Sequence, residues 1–187
     1  MFFNNCFSQV NSDYKIYSLI IEDYFLQHDS AKKYVDKAVI LDRLETKTDW
    51  VSESYDYIDY AFFENPIDSV TKRKTKQMLS ILKDSYSSNP AMHIDSFKCS
   101  IPLIFIKHQD FQKLFKNEIQ KGWDKFYQMY PRTIGVFGFT KVIYSGELAI
   151  LFVNFDSNGL SASGDIYIMK MINDKWIIFN KFNMYRA

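Results

Sequence analysis

The chain of 187 residues holds only two cysteines, four prolines and six glycines, and each scarcity excludes something. Cys6 and Cys99 lie far apart and neither stands in a Cys-x-x-Cys pair, which leaves no disulfide framework and no structural zinc signature. So little Pro and Gly excludes a collagenous, low-complexity or linker-dominated chain. An excess of charge of one sign is missing too: 23 Lys and Arg face 22 Asp and Glu, a formal net charge of +1. A nucleic-acid binder ordinarily carries a clear basic excess, so no nucleic-acid partner is expected. No apolar run approaches the roughly 20 residues of a membrane-spanning helix, so no transmembrane segment is expected. No repeat of fixed period and no cofactor-binding motif stands out.

What the chain does have is apolar bulk. It is 47% hydrophobic and 18% aromatic, with 17 Phe and 13 Tyr, enough to fill a substantial core. The length suits a single domain over 10–187. Residues 1–9, "MFFNNCFSQ", resemble the last part of a secretory signal peptide whose basic start is missing. The alternative for this stretch is a disordered terminus. The first reading favours a periplasmic, cell-surface or secreted setting over a cytoplasmic one.

The hydrophobic period divides the chain. Ser12 or Asp13 is placed to cap a helix whose Tyr17, Ile20, Ile21, Tyr24 and Phe25 follow three-four spacing. "KAVILDRL" (37–44) is an apolar run of strand length. Trp50, Tyr57, Ile58, Ala61 and Phe62 share one face of a predicted helix that ends before Pro66. Asp68 or Ser69 starts another, with Val70, Met78, Ile81 and Leu82 expected inward and Lys72, Arg73, Lys74 and Lys76 outward. "SIPLIFIKH" (100–108) reads as a strand, and Pro102 near its start suggests a sheet edge. A long helix is predicted over 111–129, capped by Asp110, with Phe111, Leu114, Phe115, Ile119, Trp123, Phe126 and Tyr127 in one stripe. Gly122 interrupts that stripe, and Pro131 stops it.

After Pro131 the period becomes two. Strands are predicted over 136–144, 148–155, 165–172 and 175–185, with Ser145-Gly146 and Asn173-Asp174 as tight turns. "LAILFVNF" is apolar at nearly every position and should be central, covered on both faces. Trp176, Ile178 and Phe182 suit a sheet with one face under helices. The expected fold is α+β, a helical N-terminal half packed on a C-terminal antiparallel meander of about four strands.

"DSNGLSASGD" (156–165) is the one stretch that imitates a catalytic loop. A nucleophile elbow needs Gly-x-Ser-x-Gly on a strand-to-helix turn, and a P-loop needs Gly-Lys-Ser/Thr opening a helix. Here no Lys is present, Ser163 stands where the second Gly belongs, and a strand follows. The stretch is expected to be a bend between strands, with Gly159 and Gly164 taking positive φ. As a loop it is also a natural ligand contact, so Ser161 and Ser163 are candidate binding residues.

The segments "GWDKFYQMYPRTIGVFGFTKVIY", "GELAILFVNF" and "GLSASGDIYIMKMINDKWIIF" resemble an uncharacterised family of small proteins common in Bacteroidota. The match falls on Trp123, Phe126, Tyr127, Tyr130, Pro131, Gly135, Ala149, Gly159, Gly164, Lys175 and Trp176, over roughly the last third of the chain. The resemblance implies a bacterial, envelope-associated protein and no known activity. Many members carry Cys in the Gly-rich turn and Trp near the C-terminus. This chain has Ser161, Ser163 and Tyr185 there, so no thiol chemistry carries over. Tyr127 and Tyr130 join the two serines as candidate ligand contacts.

Two histidine pairs are the metal candidates. In His93-x-Asp95 and His108-x-Asp110, alternation along a strand would put both side chains on one face, with His28 or Asp29 supplying further ligands. Neither spacing is a recognised metal signature. Cys99 as a nucleophile rests on residue type alone. "SYDYIDY" sets Tyr55, Tyr57 and Tyr60 among Glu53, Asp56 and Asp59, a composition seen at sugar sites and equally on a solvated helix edge. With no complete catalytic motif, the expected function is a non-catalytic binding or protein-interaction domain, its ligand a protein or small molecule; an immunity or antitoxin-like protein is one version of it. The alternative is a small hydrolase or metal-dependent enzyme using His93, His108 and nearby carboxylates.

Overall fold

A computed structural model describes residues 3–27, 35–45, 67–84, 90–159 and 161–186. The predicted helix through Trp50 and Phe62, the "SYDYIDY" cluster, His28 and Asp29 lie outside the described residues. The elements run α1 (Phe3–Gln27), β1 (Lys37–Leu41), α2 (Ser69–Asp84), a 3-10 turn at Ile94–Ser96, and β2 (Leu103–Ile106). Then come α3 (His108–Leu114), α4 (Ile119–Met129), β3 (Thr133–Phe139), β4 (Ile143–Ser145), β5 (Leu148–Asn158), β6 (Ser161–Ile172) and β7 (Lys175–Arg186).

The class is α+β, but the sheet is larger than the expected four-stranded meander. Among the described residues it has seven strands in the order β2-β1-β3-β5-β6-β7, with β4 also on β5. It is mixed: β1 lies between β2 and β3 and runs parallel to both, pairing Val39 with Ile104 on one side and Val136 on the other. Ala38, Val39, Ile40 and Leu41 are all buried, as a continuous apolar run should be when it is flanked by strands and covered on both faces. β2 is the edge strand that Pro102 suggested, and the Pro102 carbonyl accepts the Ala38 N–H at 3.0 Å.

β5 organises the interior. Its Ala149, Leu151, Val153 and Phe155 pack toward α1, whereas Leu148, Ile150 and Phe152 pack toward α2. A third cluster joins Trp123 and Phe126 of α4 to Val39, Leu41, Ile106 and Val136. Since Val39 alternates with Ala38 and Ile40, which join the α1 side, α4 covers the same sheet face as α2. Burying each large apolar side chain contributes roughly 1.5–3 kcal/mol.

Five local expectations need correction. Helix α1 begins at Phe3 and runs straight through Ser12 and Asp13, taking in most of residues 1–9. Asp13 accepts a hydrogen bond from the Tyr144 hydroxyl 131 residues away, so its carboxylate is not a cap. Second, the predicted helix over 111–129 is two helices broken at 115–118. Asp42 caps the earlier start of α3 by accepting the His108 N–H at 2.9 Å, while Asp110 pairs with Lys113 at 2.7 Å. Gly122 lets the two helices meet: a Cβ there would strike the Phe115 ring and lie 2.9 Å from the Leu114 carbonyl oxygen.

Third, α2 starts as expected, with Asp68 accepting the Val70 and Thr71 N–H groups at 3.1 and 2.9 Å. Its buried stripe is Thr71, Thr75, Met78, Leu79 and Leu82, leaving Val70 and Ile81 exposed, because two threonines occupy core positions that composition marks as polar. Fourth, the strand expected over 136–144 breaks after Phe139. Buried Thr140 donates its N–H to the Phe152 carbonyl at 3.0 Å, and its Oγ1 accepts the Phe152 N–H at 2.9 Å. One side chain replaces a ladder rung and turns the chain into β4. Fifth, Trp176, Ile178 and Phe182 do not share a face. Phe179 is an extra residue between the pairs Met169–Ile178 and Ile168–Asn180, so Trp176 and Ile178 pack toward α1 and Phe182 toward α2.

Candidate functional site

The serine stretch is a bend between strands. β5 and β6 are joined across Gly159 and residue 160, and Ser161, Ser163 and Gly164 already belong to β6. Positive φ occurs at Gly135 and Gly146, not at Gly159 or Gly164, so the conformational reason expected for those two glycines is wrong. At Gly159 the constraint is space, since a Cβ would lie 2.7 Å from the Ile119 Cγ2.

The aromatic candidates tie helix to sheet. The Tyr127 hydroxyl faces the carbonyls of Ser157 and, at 3.2 Å, Ile134, and burial pushes its pKa up. Half-buried Tyr130 lies with its ring 5.1 Å from Phe126, and its carbonyl accepts the Thr133 hydroxyl at 2.9 Å. Ser161 is exposed, and its carbonyl accepts the Ser157 hydroxyl at 2.9 Å.

Ser163 alone among the candidates joins a larger polar group. Its hydroxyl lies 3.4 Å from Oδ2 of Asp165, a carboxylate only 5% exposed. Asp165 also accepts the Asn183 amide at 2.8 Å and pairs with the Lys181 amine at 3.2 Å. The same amine sits 5.0 Å above the Tyr167 ring. Burial, and then the negative Asp165, push Tyr24 up to about 12. Period-two alternation across β6 and β7 brings Ser163, Asp165, Lys181 and Asn183 onto the α1 face of the sheet. Every group in this cluster is matched: the Asp165 carboxylate accepts the serine hydroxyl and is itself held by Asn183 and Lys181.

The histidine pairs do not converge. His93 is exposed ahead of the 3-10 turn that carries Asp95, and its backbone N–H donates to the Tyr14 hydroxyl at 2.8 Å. His108 and Asp110 lie in the first turn of α3, where the His108 ring contacts the Gln112 amide at 2.7 Å. Neither pair is on a strand, so the expected same-face alternation does not arise. Among the described residues no three His, Cys, Asp or Glu side chains come together as a metal site.

The β6–β7 hairpin departs from an ordinary solvated surface. Asn173 and Asp174 form its turn with φ of 50° and 61°. Beside that turn, on the face toward α2, Ile172, Ile177 and Phe179 are 44%, 38% and 37% exposed. Lys170 lies 5.1 Å over the Phe179 ring, and its charge helps lower the Asp68 carboxyl after the hydrogen bonds from Thr71. The three apolar side chains thus form one patch with a cationic rim, next to the start of α2. No element marked in the sequence as functional belongs to it. The bulge at Phe179, which alternation alone does not reveal, is what turns this ring to the α2 side. Neither a family model, nor a curated protein, nor a solved structure was found to match this chain.

Proposed function

We propose that the chain is a non-catalytic protein-interaction domain, of the immunity-protein kind, that engages a partner through the β6–β7 hairpin. The reading rests on the exposed Ile172–Ile177–Phe179 patch, because contiguous exposed apolar side chains rimmed by charge are the usual mark of an interaction surface. Ile177 and Phe179 lie near the start of the twelve-residue strand β7, last in the sheet order, so a partner segment has both side chains and backbone to recognise there. The resemblance to the Bacteroidota family extends the proposal to a bacterial envelope or secreted setting. The alternative, a small hydrolase or metal-dependent enzyme, gains no support from the positions of His93 and His108. A tagged chain carrying Ile177→Asp and Phe179→Asp, expressed in a native host beside the wild type, provides the test. A stoichiometric partner should be recovered with the wild type and lost with the variant at unchanged melting midpoint. A partner kept by the variant removes the hairpin from the reading, and one equivalent of zinc lost on His108→Ala would favour the alternative.

A further inference from the structure

The opposite face of the same hairpin carries a second feature, independent of the patch. A cleft of about 400 Å³ opens between α1, the segment around Lys98 and the β6–β7 turn. That volume lies in the range of small-molecule sites, roughly 300–1,000 Å³. Three lysines from three separate elements line it: Lys15 of α1, Lys98, and Lys175 of β7. None of the three makes an ion pair with a described residue. Two carboxylates also face the cleft, Glu22 and Asp174, and Glu22 is engaged by the Ser100 N–H at 2.8 Å. Three ammonium groups against two carboxylates leave the cleft with an excess of positive charge, which favours an entering anion.

One wall of the cleft is Trp176, whose ring lies 5.6 Å from Tyr144. Its indole Nε1–H is buried and has no acceptor among the described residues. A buried donor without a partner is uncommon in a folded protein and calls for a reason. An aromatic wall and three ammonium groups without an ion-pair partner among the described residues ask for complementary chemistry: a flat apolar body to lie against the indole, and an acidic group to meet the amines. We infer that this cleft binds a small organic anion, a carboxylate, sulfonate or phosphate carried on a flat ring. Trp176 supplies the stacking wall, Lys15, Lys98 and Lys175 the charge, and Asp174 sets an upper limit on how much negative charge is accepted.

The probe is 2-naphthalenesulfonate, with uncharged 2-naphthalenemethanol as its control, titrated by calorimetry and followed by the Trp176 Nε1–H resonance. That resonance is assigned by its loss in Trp176→Phe. The sulfonate should bind and move the resonance, bind more weakly as salt is raised, and outcompete the alcohol. Each of Lys15→Ala, Lys98→Ala and Lys175→Ala should weaken it about threefold, and the triple variant more than tenfold. Asp174→Asn should tighten it. These positions are solvent-facing, so the variants remain folded, and Ile177 and Phe179 lie outside the cleft, so the hairpin variant should bind normally. Absence of binding at millimolar sulfonate, equal binding of the alcohol, or an affinity untouched by the triple lysine change would each overturn the inference.

Discussion

The ionisation of Asp13 bears directly on the fold. Burial lifts its carboxyl to about 6, despite the Tyr144 hydrogen bond and the positive Lys141, which act the other way. In the unfolded chain the same group titrates near 3.9. Between about pH 4 and pH 6 the folded protein therefore holds a proton that the unfolded chain has released, and stability falls as pH rises through that window. Asp13→Asn should match the wild type near pH 4 and exceed it by roughly 1–3 kcal/mol above pH 6, measured by urea denaturation at both ends. A variant with the wild-type pH profile would show that Asp13 is not the group responsible. Cys99 is a second case: burial chiefly, with Glu22 nearby, pushes its thiol up to about 11. In a Cys6→Ser background the native thiolate fraction at pH 8 should be roughly a hundredfold below that of the unfolded chain. Reaction with a disulfide reagent as fast as in denaturant would restore Cys99 as a nucleophile candidate. Neither environment was legible in the sequence, because Asp13 meets Tyr144 across 131 positions and Cys99 meets Ser18 across 81.

Among the elements, some written by local rules were legible, and those set by distant contacts were not. The Asn173-Asp174 turn was legible because positive φ at two successive positions demands such residues. Asp174→Gly should stabilise the hairpin by about 0.5–1 kcal/mol, since glycine adopts φ near 61° without a Cβ clash. A lower melting midpoint would mean that the Asp174 side chain contributes more than its backbone costs. The break between α3 and α4 was hidden because Phe111, Leu114 and Phe115 join the same cluster as Trp123, Phe126 and Tyr127, so the aromatic stripe continues across it. Gly122 was the signal, read only as an interruption. Gly122→Ala should cost about 1–3 kcal/mol by forcing the Phe115 ring aside, and Trp123→Ala about 3–5 kcal/mol by emptying a site 5% exposed. Equal midpoints for Gly122→Ala and wild type would show that the helices have room to separate.

At the scale of the whole molecule, α+β architecture and a central, doubly covered β5 followed from the change of period after Pro131 and from the apolar run in β5. The parallel insertion of β1 did not, because strand order is decided by which edges are open when the helices have packed, and no spacing in the chain records that. Because β5 feeds cores on both faces, damage on either side should propagate. Leu151→Ala, toward α1, and Phe152→Ala, toward α2, should each lower stability by about 3–5 kcal/mol while preserving one cooperative transition seen alike by all probes. Two separated transitions in Leu151→Ala would mean that the faces melt independently. The position of β1 also has a bearing on synthesis. Both its neighbours, β2 and β3, are encoded after it, so the four apolar residues from Ala38 to Leu41 leave the ribosome with neither of their partner strands. The second edge of β1 stays open until translation has passed Phe139, and for that interval the nascent chain offers chaperones a hydrophobic handle that the finished protein conceals.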